Sequence, residues 1–545
     1  MAYDDYGEEP AGGAYAAYGG APGEALADDF NLLGVVKDFI SNLYLKMSQN
    51  KVGEVRQLYQ KEWSALTQAY YKESEWPRDR EIAQLCDNNH VFLLCYNELY
   101  YRHIFVNGEP LIHHRFESWN NYRNLLDAFL DQQQTGNLML PSEWVNDMVD
   151  EFLYQYQDFC RYKHELSSLS AAELQLLAEN TNVWQTETVL GYLQQFVARS
   201  GIVPMLQGNG KGALHGMRVL QSMGYFSLFG LCRAHCLLAD YRLAVDVLAP
   251  VDIDDKRALF TRLPACHINL FYYLGFAYLM MRRYADAVNA FSGVLMAHKG
   301  RGERGGSYAE QQINKRYDQI RSLTAMVLAL SPGLRVDQQV LSILGDREDE
   351  KTAALARRDE AGFEKVFAYA CPKFIVPSVP DFAHIANRHQ SAYHLQLKWF
   401  LHEVRQCQAL PTIRSYLKLY TSIPVDKLAR FCNIPVDRFR EHMLSLKVAA
   451  NQVVHTEGKT AIEGQRVSVN DIHFYIVGDM VFIKETRAPQ RYSEFFLTHA
   501  QKFQQAIDDL AEVSKRVAAQ QQAQIAALAQ PQPGLAPKAP VLRSS

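Results

Sequence analysis

A chain of 545 residues is long enough for about three or four domain-sized units, and its 48% hydrophobic content suits large buried cores. A formal net charge of −4 excludes a global basic field of the kind that drives bulk binding to nucleic acid or membranes. Nine scattered cysteines without a C-x-x-C pair argue for a reducing compartment and against a disulfide framework.

Residues 1–29 hold seven acidic side chains and no basic ones, which predicts a disordered acidic tail, because so polar a segment cannot offset its ordering entropy. With no Lys or Arg before Lys37, the N-terminus reads as neither a secretory signal nor a transit peptide. From 30 to 200 helical periodicity dominates. Trp144, Met148, Phe152, Tyr156 and Phe159 recur at three or four residues and predict one amphipathic helix. Tyr96, Tyr100, Tyr101, Phe105, Phe116, Trp119 and Tyr122 crowd the same region. They read as interhelical packing, since base-stacking surfaces carry interleaved Arg and Lys.

Residues 201–216 form a glycine-rich linker. Gly208-Asn-Gly-Lys-Gly212 fails as a phosphate loop, because Met205 stands where its first Gly belongs and Gly212 where Ser or Thr belongs. Over 217–289, Leu274-Gly275, Tyr278, Tyr284, Ala287 and Phe291 fall at the spacings of a tetratricopeptide-like helix pair. Leu231, His235, Tyr241, Ala244 and Leu248 make a degenerate earlier copy. The longest uncharged run, Leu263 to Met281, contains Pro264, His267 and Asn269, so it reads as a buried helix and not a membrane span. Lys299 to Gly306 reads as a charged loop, and helices follow to the sequence before Thr412.

From Thr412 to Phe496 two helix starts, Ser422-Ile-Pro-Val-Asp426 and Asn433-Ile-Pro-Val-Asp437, each allow Pro at the first helical position and Asp in the first turn. Ile472, Phe474 and Ile476 alternate up to Gly478-Asp479, and Val481 and Ile483 alternate beyond it, which predicts a hairpin. Helices plus hairpin predict a winged helix at 412–491. A last helix, 492–520, carries a heptad stripe of Phe496, Ala500, Phe503, Ile507, Leu510, Ser514 and Val517, a candidate contact for partner helices. Ala/Gln- and then Pro-rich sequence at 521–545 predicts a disordered tail. The fold class is mainly α: a helical-repeat solenoid capped by the winged helix, then a terminal helix.

Chemical motifs are missing. His164-Glu165 and His402-Glu403 lack the second His that a zinc hydrolase needs, since Ser168 and Gln406 stand there. His384, His389 and His394 step about 140° apart on a helix and share no face. No catalytic, cofactor or metal residues are therefore assigned, and no enzyme is expected. In the winged helix, seven basic residues from Arg414 to Lys447 face three acidic ones. Arg430, Arg438, Arg440 and Lys447 are candidate RNA contacts, although Asp437 and Glu441 share the surface and favour a protein–protein edge.

Longer strings carry a resemblance. Leu99-Tyr-Tyr-Arg-His-Ile104, Arg115-Phe-Glu-Ser118, Leu140-Pro141 with Trp144, Asp150-Glu-Phe152 with Tyr154-Gln155, and Gly224-Tyr-Phe-Ser-Leu228 are similar to the subunit L family of eukaryotic translation initiation factor three. So are Gly275-Phe-Ala-Tyr-Leu-Met-Met-Arg-Arg-Tyr284, Tyr369-Ala-Cys-Pro-Lys-Phe374, Thr412-Ile-Arg-Ser415, Leu417-Lys-Leu-Tyr-Thr421, Phe474-Tyr-Ile476 and Arg491-Tyr492. The similarity runs from roughly Phe30 to Lys502. It implies a PCI domain over 290–491 and a non-catalytic cytoplasmic scaffold beside subunit K, subunits E and C and the small ribosomal subunit, in mRNA and initiator tRNA recruitment. It also implies that winged helices line up side by side and that terminal helices gather in a bundle. Alternatives from the generic fold are a scaffold of the proteasome lid or COP9 signalosome, or a winged-helix RNA-binding protein.

Overall fold

The computed structural model describes residues 33–108, 110–166, 169–208, 216–299, 308–331, 334, 336–345, 355, 359–380, 392–468, 472–485 and 490–528. The acidic head, the lysine of the first glycine loop, the second glycine loop, His384 and His389 lie outside them. Two compact units separate. The first takes in residues to 331, from 336 to 405 and from 452 to 467; the second takes in 406–451 and resumes at 468.

The first unit is a stack of helices, of which the following matter here. Helix α1 spans Gly34–Ser48, α2 His90–Asn107, α3 Ile112–Leu130, α4 Ser142–Tyr162 and α5 Thr186–Arg199. The expected stripe of α4 is buried along its length, with Trp144, Met148, Phe152, Tyr156 and Phe159 at 3% exposure or less. The crowded aromatics are interior too: Tyr96, Tyr100, Phe105, Trp119 and Tyr122 are all buried between helices. Packing accounts for them.

Within the glycine-rich linker a short helix, Ile202–Gln207, forms after Gly201, whose φ of +67° lies in the left-handed region glycine tolerates. Helix α6 (Val219–Leu237) then runs against α4 and α5, and α7 (Tyr241–Asp246) turns back from it. Helices α8 (Pro264–Met280) and α9 (Tyr284–Ala297) are the expected tetratricopeptide-like pair. Their close approach has a direct cause: a Cβ on Gly275 would meet the Phe291 ring, so only a residue without one admits that ring. Cys232 and Cys236 are core packing, both fully buried. Helices α10 (Tyr308–Leu330), α11 (Glu360–Ala370) and α12 (Ala392–Gln408) extend the array.

The second unit is a winged helix. Helix α13 covers Leu410–Leu417, strand β1 Ser422–Pro424, α14 Val425–Phe431 and α15 Val436–Ala450. Pro424 and Pro435 occupy the cap positions, one residue ahead of the expected first helical turn. Their ψ of 141° is the extended value a cap residue takes, and the missing N–H costs nothing there either. Ile423, Val425, Leu428, Phe439, Met443 and Leu446 close the core between the helices.

Chain then leaves this unit. Strands β2 (Asn451–Val454) and β3 (Gln465–Ser468) form a two-stranded ladder whose residues 452–467 belong to the first unit. It returns as β4 (Ile472–Val477) and β5 (Met480–Glu485), the expected hairpin, with Ile476 opposite Val481 and Gly478 in the turn at φ +57°. Strand order is β1-β5-β4. Burial along the hairpin fades toward the turn, from Phe474 at 9% to Ile476 at 39% and Val477 at 60%, so the expected inward alternation ends one residue pair early. Helix α16 (Gln490–Leu528) is the last described element. It continues eight residues past the expected end at 520, because Ala and Gln are strong helix formers and the first Pro comes only at 531.

Candidate interaction surfaces

Among the described residues, helix α16 carries a long run of exposed apolar side chains. Its 39 residues make a rod of roughly 58 Å. Every residue from Phe495 to Gln521 is exposed. Phe496 is 65% exposed, Phe503 67%, Ile507 57%, Leu510 68% and Val517 46%; Ala500 lies in the same row. Phe495, Leu497 and Val513, outside the heptad pattern, are equally bare and broaden the stripe. Folding of this chain leaves roughly half to two thirds of each of these large side chains in contact with water.

A second open surface is the β4 edge of the wing. Among the described residues no strand lies on its outer side, and Tyr475 (51%), Ile476 and Val477 are exposed along it. Tyr475 stacks on Phe482 across the hairpin at 5.3 Å between centroids. An edge with unpaired backbone groups and apolar side chains can take another strand.

The candidate RNA contacts of the winged helix are partly paired with carboxylates. Arg430 pairs with Asp426 at 3.3 Å, and Arg440 with Asp479 across the unit. Lys447 lies 5.9 Å from the Phe474 ring, and Arg438 is exposed. Two of the four thus already have a carboxylate.

Two arrangements in the first unit escaped sequence reasoning. Around α2 and α4, buried Glu98 accepts from Arg102 Nε (3.0 Å), Trp144 Nε1 (3.1 Å) and Tyr122 OH (3.4 Å). Tyr59 donates to Asp147 and accepts from Arg102. One turn along, Gln155 donates to Glu151 at 2.8 Å. Burial pushes the Glu151 carboxyl up to about 7, against the lowering pull of Arg102 and Gln155. Polar groups this well satisfied hold helices in register.

The other is the 452–467 strap. Arg283 Nε donates to Asp286 at 2.7 Å, both almost fully buried, and its Nη1 donates to Ile462 O at 2.7 Å. Tyr278 OH donates to Ala461 O at 2.7 Å, and His455 N to Asp286 Oδ1 at 2.8 Å. Gln452 accepts from Ala285 N at 3.1 Å, so the strap is seated on the first turn of α9.

A cleft of about 380 Å³ lies among Arg56, Glu143, Ser222 and Arg262, crossed by the Arg56–Glu143 pair at 3.0 Å. Among the described residues no three His, Cys, Asp or Glu side chains are grouped to hold a metal ion, and no helix is long and apolar enough to cross a membrane.

The fold and its bare surfaces define a helical-repeat protein that ends in a winged helix and a long amphipathic helix. A family model described as RNA polymerase I-associated factor PAF67 matches residues 114–503. Relatives called eukaryotic translation initiation factor 3 subunit L match almost the whole chain. That of Xenopus tropicalis is 38% identical over 473 residues, covering 84% of each chain. That of Nematostella vectensis is 37% identical over 507 residues, 91% of this chain and 96% of the relative, and the Homo sapiens protein is 37% identical over 84% and 83%. The chain belongs to the eukaryotic translation initiation factor 3 subunit L family.

Proposed function

We propose that the chain is a non-catalytic scaffold subunit of translation initiation factor 3 in the cytoplasm. It supports assembly of the complex on the small ribosomal subunit and thereby mRNA and initiator tRNA recruitment. The observation that carries this reading is the apolar stripe of α16, bare over more than twenty residues in a chain of this family. Phe496, Ala500, Phe503, Ile507, Leu510 and Val517 form the contact with helices of other subunits, subunit K first among them. The β4 edge meets a neighbouring winged helix from a PCI subunit such as E or C, within a PCI domain spanning 290–491.

The physical logic is that a helical array offers length and stiffness, while its end presents two surfaces that only a partner can cover. The test is reconstitution of the multi-subunit complex with a chain truncated after Arg491. Native mass spectrometry should show reduced occupancy of the truncated subunit. Full occupancy would overturn the role assigned to α16.

A further inference from the structure

One cluster of positive charge in the first unit draws on three elements far apart in sequence. Arg161 stands in the last turn of α4, Lys315 and Arg316 in α10, and Lys373 in the extended segment that follows α11. That segment is pinned. Ile375 N donates to Leu237 O at 3.0 Å, and Gln319 Nε2 donates to Tyr369 O at 3.0 Å, which ties α10 to the chain just ahead of Lys373. The Arg316 guanidinium lies 4.2 Å from the Tyr272 ring centroid, and Tyr272 OH in turn donates to Ala370 O at 2.8 Å. The Arg316 guanidinium and the backbone that carries Lys373 are thus set in place by buried structure.

Their neutralisation is incomplete. Asp158 is shared between Arg115 and Arg161, and Glu165 reaches Arg161 only at 3.9 Å. Asp318 is turned to Arg321 at 3.8 Å. Among the described residues Lys315 and Lys373, both exposed, have no carboxylate within ion-pair distance, and Arg316 meets the neutral Gln319 and Tyr272. The crowding registers on Lys373: partial desolvation, then the charges of Arg161, Lys315 and Arg316, push its ammonium down from the ordinary lysine value, against the pull of Asp158. Like charges are being held together at a cost to the folded chain, which an anion would repay.

We propose that Arg161, Lys315, Arg316 and Lys373 form a phosphate-binding site for the backbone of single-stranded RNA. Arg316, held over the Tyr272 ring, presents a guanidinium suited to phosphate oxygens, while the two exposed lysines act as point charges on neighbouring phosphates. The half-buried Phe374 beside Lys373 supplies an aromatic neighbour for a base. An acidic protein segment would satisfy the same charges. RNA is chosen over it because of the role in translation initiation proposed above, on which this inference rests. In the winged helix two of the four candidate cations, Arg430 and Arg440, already have carboxylates, against Arg161 alone here.

The test uses the full-length chain, its Lys315→Gln/Lys373→Gln variant and a control, Lys61→Gln/Lys72→Gln, at two exposed lysines elsewhere on the first unit. Binding to a short fluorescent oligouridine is followed by anisotropy across a series of potassium chloride concentrations. Loss of two phosphate contacts should weaken binding about tenfold at low salt and reduce the log–log salt slope by about 1.4. The control should match wild type. Incorporation of the Lys315/Lys373 variant into the multi-subunit complex should be unchanged, and its thermal stability equal or higher, because repulsion has been relieved. An unchanged slope, or no oligouridine binding by the wild-type chain, overturns the site. So does tighter binding of oligoglutamate than of oligouridine through the same two lysines. Failure of the wild-type chain to enter the complex would instead strike the scaffold reading.

Discussion

Phe503→Ser with Leu510→Ser in the full-length chain changes two side chains that touch almost nothing in the isolated subunit. At 67% exposure, Phe503 leaves on the order of 130 Å² free of a side chain that buries about 200 Å² when covered. At ~25 cal/mol per Å² that is about 3 kcal/mol available to a partner. Leu510, 68% exposed, offers about 2 kcal/mol more. Partial coverage in a helix bundle trims the sum to about 3–4 kcal/mol, or a 100- to 1000-fold weaker association at about 1.4 kcal/mol per decade. Two serines lower helix propensity by less than about 1.5 kcal/mol in total, so the isolated chain keeps its far-ultraviolet circular dichroism and melting temperature. The assay titrates the variant into complex lacking this subunit and reads bound fraction by sedimentation. Association within threefold of wild type would refute the reasoning, because no surface of that size could be lost from a used interface so cheaply.

Two further outcomes follow from the buried polar groups. Because the folded Glu151 carboxyl titrates at about 7 while its ordinary value is 4.5, its stabilising proton is fully present below 4.5 and lost as pH rises through 7. Glu151→Gln, which still accepts from Gln155, should therefore gain up to about 3 kcal/mol over wild type at pH 8 and nothing at pH 4, in paired urea melts. Equal gains at both pH values would contradict the assignment. Arg283→Ala leaves Asp286 as a lone buried charge, a loss of about 3–5 kcal/mol, and unseats the strap. Trypsin should then cut at the exposed Lys459 well before other sites; an unaltered cleavage order would show that Arg283 does not hold it.

What could be read from sequence was local. The α4 stripe, the Gly275–Phe291 approach and the β4–β5 hairpin each depend on residues within about one element pair, so their periodicity or spacing survives in a single sequence. The stripe of α16 was legible for the same reason, down to Phe503 and Leu510, although its full width was not. Long-range matches leave no such trace. Tyr278 and Ala461 are 183 residues apart, and nothing in either neighbourhood marks the other as its hydrogen-bond partner. Lys373 reads as one lysine in a Cys-Pro-Lys-Phe string until the fold sets it beside Arg161 and Lys315. Glu98 and Arg102 stand at i, i+4 spacing, but nothing local marks their burial with Trp144 and Tyr122. In the wing, local charge counting gave an excess of cations, and the carboxylate of Asp479, beyond the counted window, cancels one of them.

The account stands or falls on whether α16 is covered by other subunits. Cross-linking mass spectrometry of the intact complex, with an amine-reactive reagent, addresses this through Lys502 and Lys515, which flank the stripe on α16. The expected result is that both lysines link chiefly to helices of neighbouring subunits, with subunit K prominent. Links from these lysines confined to this chain would contradict the claim that the stripe is an assembly surface.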